Sequence, residues 1–140
     1  MPKVKDLMTK DVITIDEQKT VFEAAELMSH ERVGDLVVMD GKMPIGIVTE
    51  RDFVRRVVAT RRPLDTKVLE IMSKSLVTIA PDSPIKEAAR KMAIKRIRRL
   101  PVLKEHELVG IITASDLARH LSKKTLAEGI LEAIWRSPMT

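Results

Sequence analysis

The stretch Leu108-Val109-Gly110-Ile111-Ile112-Thr113-Ala114-Ser115-Asp116-Leu117-Ala118 passes from a β-branched, apolar run into small polar residues. That order predicts a strand entering a helix, with Thr113 as N-cap and Asp116 closing a capping box three residues later. A second reading is open at this point: Thr113, Ser115 and Asp116 point polar groups at a ligand. The two are compatible, since Thr113 can cap while Asp116 faces a cleft. Sixty-four residues earlier the chain carries nearly the same phrase, Ile45-Gly46-Ile47-Val48-Thr49-Glu50-Arg51-Asp52-Phe53-Val54.

The register holds in both directions. Val4-Lys5-Asp6-Leu7-Met8-Thr9-Lys10 matches Val68-Leu69-Glu70-Ile71-Met72-Ser73-Lys74, Thr14-Ile15 matches Thr78-Ile79, and Glu23-Ala24-Ala25 matches Glu87-Ala88-Ala89. Self-similarity at a fixed offset marks a tandem duplication. The joint falls near Ala59–Asp65, where Pro63 interrupts helical pairing. We therefore divide the chain into repeat one, 1–62, repeat two, 63–124, and a tail, 125–140.

Each repeat reads strand, helix, strand, strand, helix. Val12–Ile15 and Leu76–Ile79 are the first strands. Val21, Ala24, Ala25 and Met28, like Ile85, Ala88, Ala89 and Met92, recur at helical spacing. Thr20 and Ser83 are the candidate caps, with Pro84 in a first helical turn. Leu36–Met39 and Ile45–Val48 form a hairpin through Asp40-Gly41-Lys42, and Leu100–Leu103 and Leu108–Ile112 form another through Lys104–Glu107. A unit of that size is marginal alone, so the two copies are expected to pack together. Phe22, Phe53 and Trp135 are the only aromatic residues, which makes the expected core aliphatic and methionine-filled.

This pattern resembles a tandem pair of CBS domains, a Bateman module. The resemblance rests on Met-(Thr/Ser)-Lys, the Thr-Ile strand, Arg99-Leu100-Pro101-Val102 and the Gly-Ile-(Ile/Val)-Thr-x-x-Asp phrases, and covers about residues 3–122. It implies an α+β fold of two β-α-β-β-α repeats related by a pseudo-two-fold axis, with two inter-repeat clefts that take adenine nucleotides or, less often, S-adenosylmethionine. Carried onto this chain, Asp116 binds the ribose, Thr113, Ala114 and Ser115 lie near the phosphate, and Arg98 and Arg99 meet it. Met8, Ile13, Gly34 and Asp35 complete that site. Asp52, Thr49, Arg51, Met72 and Val77 belong to the second cleft. One carboxylate accepts both hydroxyls of a cis-diol, a guanidinium fork fits phosphate oxygens, and a helix N-terminus favours an anion. Where repeat two has Arg98-Arg99, repeat one has Gly34-Asp35, so unequal sites are expected, the one with Asp116 dominant. The expected ligand is AMP, with ADP or ATP as further candidates, and no other cofactor is required. Occupancy would signal adenylate state to a regulated protein partner. The resemblance also implies a homodimer through helices, for which Ala24, Ala25, Ala88 and Ala89 permit close packing.

Other classes fit less well. His30, His106 and His120 are dispersed, without metal-ligand spacing, and no glycine-rich phosphate loop or nucleophile–base pairing is evident, so no enzyme is expected. The absence of cysteine excludes disulfides and thiolate metal sites. The net charge of +5 and the basic runs at 55–62, 95–99 and 123–124 suit a nucleic-acid binder, the main rival. The scarcity of aromatic residues removes base-stacking platforms and weighs against it. No apolar run reaches the roughly 18 residues that span a bilayer, and no apolar leader is seen, from which a cytoplasmic location without membrane contact is expected. In the tail, Leu126, Ile130, Leu131, Ile134 and Trp135 fall at helical spacing and predict an amphipathic helix.

Overall fold

The computed structural model describes residues 2–121 and Trp135; of the expected tail helix, Leu126, Ile130, Leu131 and Ile134 lie outside them. The fold is mixed α+β, and the chain forms two compact units. One is Val12–Leu76, and the other joins Met1–Asp11 to the chain from Val77 onward.

These units cut the chain elsewhere than the sequence repeats do. The reason is strand pairing at the two Met-(Thr/Ser)-Lys segments. Thr9 bridges Ile111, so the head of repeat one completes the unit built from repeat two. Ser73 bridges Ile47, so the head of repeat two completes the other. Both heads are short helical turns that the sequence reading treated only as motifs: α1, Val4–Leu7, and a 3-10 turn at Val68–Glu70.

In the unit of residues 12–76, β1 (Thr14–Asp16) runs parallel to β2 (Asp35–Asp40), which pairs antiparallel with β3 (Met43–Thr49). Helix α2 (Val21–Glu31) opens on the expected cap: Thr20 Oγ1 accepts from the Glu23 amide at 3.1 Å, and Glu23 Oε1 accepts from the Thr20 amide at 3.1 Å. The helix after β3 is α3 (Glu50–Asp52), which widens at once into a π-helical segment, Phe53–Val58. Val21, Ala24, Met28, Leu36, Val38, Val48, Val57, Val68 and Ile71 are buried in a core without a buried aromatic ring.

In the other unit, α4 (Ile85–Lys95) precedes the hairpin of β4 (Arg99–Lys104) and β5 (Glu107–Thr113), and α5 (Ala114–Leu121) follows. The α4 cap is Pro84, one residue later than expected, and the Ser83 carbonyl instead accepts from the Val4 amide at 2.8 Å. The core is again aliphatic, with Ala88, Ala89, Met92, Leu100, Ile112 and Leu117 buried. Ala24, Ala88 and Ala89 therefore pack inside their own units and are not available to a dimer face.

The strand expected at Leu76–Ile79 is reduced to one parallel bridge between Ile79 and Val102. Proline chemistry explains the loss. In the 12–76 unit the Val37 amide donates to Ile13 O (3.2 Å) and the Glu17 amide to Met39 O (2.9 Å). The corresponding positions are Pro101 and Pro81, which have no N–H to donate. Only the bonds from the Ile79 amide to Pro101 O (3.1 Å) and from the Leu103 amide to Ile79 O (3.0 Å) persist.

Candidate ligand site

The β5–α5 junction is built as a capping box. Asp116 Oδ2 accepts from the Thr113 amide at 2.8 Å, and Thr113 Oγ1 accepts from the Asp116 amide at 3.2 Å. Asp116 is 5% exposed, and its other carboxylate oxygen pairs with Arg119. Arg119 was missed in the sequence, although an Asp and an Arg three apart on a helix are a legible ion-pair signal. Free N–H groups were expected at this helix start. The structure corrects that for two of the first three, because the Ala114 amide donates to Arg98 O at 2.8 Å and the Asp116 amide is capped.

The same bond holds Arg98 against the helix start, while Arg99 is the cross-strand partner of Thr113. Thr113, Ala114, Asp116, Arg98 and Arg99 are thus brought together at one corner. Ser115 is exposed on the first turn of α5, and both arginines are half-buried. The Trp135 ring lies over the Arg98 guanidinium, 4.5 Å from centroid to Cζ, a cation–π contact. Met8 belongs to the same unit but sits further along β5, its Sδ against Gly110. Val77 also belongs here and packs on this unit's core. Ile13, Gly34 and Asp35, expected in the same site, belong to the 12–76 unit.

The 12–76 unit repeats the frame with different charges. Asp52 Oδ2 accepts from the Thr49 amide at 2.9 Å, and Thr49 Oγ1 accepts from the Asp52 amide at 3.3 Å. Arg56 Nε lies 3.7 Å from Asp52 Oδ1, and its Nη1 donates to Ile71 O at 2.9 Å. Gly34 O accepts from the Glu50 amide at 3.0 Å, as Arg98 O does from Ala114. A side chain at Gly34 would meet the Glu50 carboxyl, 3.6 Å from its Cβ, and Asp35 pairs with Thr49 as Arg99 does with Thr113. This corner therefore carries carboxylates where the other carries guanidinium groups. Arg51 is half-buried beside it, and Met72 packs on Gly46.

The basic run at 55–62 is partly structural, since Arg56 caps the 3-10 turn and Arg62 pairs with Glu70 at 3.6 Å. Among the described residues no group of three or more His, Asp or Glu is placed to hold a metal ion, and no helix is long and apolar enough to cross a membrane.

The CBS domain model matches twice, at residues 4–59 and 68–123. The chain belongs to the CBS-domain family. This CBS pair is 40% identical over 118 residues to the CBS domain-containing protein YhcV of Bacillus subtilis, covering 84% of each chain. It is similar in structure to the CBS domain pair of protein MJ0100, solved in complex with 5′-methylthioadenosine and S-adenosyl-L-methionine (TM-score 0.80, 28% identity, 89% of this chain and 99% of that one). It is also similar to Hypoxic Response Protein I, solved with two coordinated zinc ions (TM-score 0.78, 31% identity, 86% and 99%).

Proposed function

We propose that this CBS pair is a non-catalytic regulatory module that binds an adenosine-bearing ligand at the β5–α5 corner, with AMP expected first and ADP, ATP or S-adenosylmethionine as the alternatives. The observation that carries this reading is the assembly of a buried Asp116 carboxylate, Thr113, Arg98 and Arg99 at one point of a single unit. A carboxylate offers about four acceptor sites. Asp116 can therefore cap its helix, pair with Arg119 and still accept from a ribose diol. The arginines supply planar donor forks for phosphate. The bound adenosyl compounds of the MJ0100 pair, a relative in fold and sequence, support the ligand class.

The corresponding corner of the 12–76 unit has Asp35 and the Glu50 carboxyl at the two arginine positions, which disfavours a phosphate there. We therefore take the Asp116 site as dominant and the Asp52 site as weaker. In this reading occupancy reports adenylate state to a protein partner, inside the cytoplasm. A homodimer through helices would use residues other than the buried Ala24, Ala88 and Ala89.

Calorimetry and thermal melts with AMP, ADP, ATP and S-adenosylmethionine test the proposal on wild type and Asp116→Asn, which keeps a cap acceptor but loses the charge. At a hundredfold excess over the dissociation constant, binding raises stability by about 2.7 kcal/mol. The variant should melt near wild type without ligand and lose most of that increment. Absence of heat and of any shift at millimolar ligand would refute the adenosine reading.

A further inference from the structure

At the hairpin end of the unit containing β4 and β5 lies a pocket of about 380 Å³, lined by Lys5, Asp6, Met8, Lys10, Pro81, Asp82, Lys104 and Val109. It is distinct from the corner above, because Val109 stands four positions before Thr113 on β5. Val109 is the residue passed over where the β4–β5 register shifts, since Val102 pairs with Gly110 and Leu103 with Leu108. Such bulges re-aim a side chain. Val109, Met8 and Pro81 form the apolar part of the lining.

The charges around it are not balanced. Asp6 is occupied in the α1 cap, its Oδ2 accepting from the Lys3 amide at 2.8 Å. Asp82 Oδ1 is paired with Lys5 Nζ at 3.0 Å and lies 3.8 Å from Lys3 Nζ. Lys10 and Lys104 form no salt bridge among the described residues, and the lining sets three ammonium groups against two carboxylates. Lys5, and more weakly Lys3 and Lys104, hold the Asp82 carboxyl below its usual range.

The other repeat provides an internal control. Its counterparts of Lys104, Pro81, Asp82 and Lys5 are Asp40, Glu17, Gln18 and Leu69, while Lys10 and Asp6 keep their charges as Lys74 and Glu70. There, burial and then the neighbouring Asp40 push the Glu17 carboxyl up. One fold position thus carries a positive field in one unit and a negative field in the other.

We propose that the Lys10–Lys104 pocket is a second binding site, for a small organic dianion with an apolar body. The class covers phosphate monoesters and dicarboxylates: two ammonium groups meet the two charges, and Met8, Pro81 and Val109 take the body. The pocket's volume falls within the range of small-molecule sites, and it is open to solvent on one side. The site is independent of the adenosine reading and stands or falls separately.

The test is amide NMR of the full chain titrated with phenyl phosphate, isophthalate and benzoate, beside the variant Lys10→Glu/Lys104→Glu and the control Lys42→Glu in the other unit. Saturable shifts confined to Lys10, Asp82, Lys104 and Val109 are expected for at least one dianion, with benzoate weaker. Which dianion binds tighter separates phosphate from carboxylate ligands. The double reversal should weaken binding about tenfold or more, and Lys42→Glu by less than about twofold. Shifts spread over all lysines, equal binding of benzoate, or equal loss in both variants would overturn the proposal. So would the absence of saturable shifts at millimolar probe in wild type.

Discussion

Met8 Sδ stands over Gly110 so closely that a Cβ on the glycine would lie 2.5 Å from it and 2.9 Å from Thr9 O. The equivalent pair is Met72 over Gly46, where the added Cβ would meet Ser73 O at 2.5 Å. These glycines let each Met-(Thr/Ser)-Lys head lie flat on its strand. Gly110→Ala and Gly46→Ala should each destabilise the fold by about 1–3 kcal/mol in urea unfolding. Gly46→Ala should be the worse of the two, because its closest obstacle is backbone and cannot rotate away. A neutral Gly46→Ala would show that the head does not pack as described.

Glu105 and His106 turn the β4–β5 hairpin with φ of 51° and 72°, a region costly for residues with a Cβ. The β2–β3 hairpin uses Gly41 at φ 60°, with nothing within 4 Å of an added Cβ. His106→Gly should therefore stabilise the protein by about 1 kcal/mol, and Gly41→Ala should destabilise it by a similar amount. Chemical denaturation of both variants checks the pair, and equal signs would contradict it.

The hydrogen bonds to Glu23 from Thr20, backbone first and then hydroxyl, hold the Glu23 carboxyl below its usual range. A carboxylate depressed by folding adds stability where it is ionised in both states. That contribution is present above the unfolded-state value and is lost as pH falls through the folded one. Thermal melts should show Glu23→Gln less stable than wild type at neutral pH and the two converging in acid, so that the acid-limb dependence is reduced in the variant. An unchanged acid limb would mean that the cap is not populated.

Trp135 is the sole tryptophan and stacks on Arg98, so its emission reports on the candidate site. Arg98→Ala should change the spectrum and raise quenching by acrylamide, whereas Arg62→Ala, in the other unit, should do neither. Identical spectra for Arg98→Ala and wild type would argue that the contact is not formed in solution.

Local order was legible wherever neighbours along the chain decide it. Both capping boxes, the α2 cap and the two hairpins follow from spacings of a few residues. The shortened strand before α4 was written in Pro81 and Pro101, but it could be read only once their ladder partners were known. The exchange of the two heads was hidden for a similar reason, since it depends on Thr9 meeting Ile111 and Ser73 meeting Ile47. Of the expected site, Thr113, Ala114, Asp116, Arg98 and Arg99 come together because four lie within or beside one hairpin. Arg119 went unnoticed because the phrase was read as ending at Asp116. The lysine-lined pocket draws on Lys5, Lys10 and Lys104, residues that no local pattern relates.

The exchanged heads also give the two units different histories during synthesis. The strand pairings of Val12–Leu76 and its bridges Thr20–Lys67 and Ile47–Ser73 lie within it, so they can form once it has been made. The α1 segment ahead of it finds its place only after β5 has emerged, because Thr9 must await Ile111. Long sequence separations of this kind slow closure and leave apolar surface uncovered in the interval. A translation pause beyond Leu76 therefore leaves a finished middle flanked by an unfinished beginning, with Val4 and Met8 exposed to whatever chaperone or neighbouring chain reaches them first.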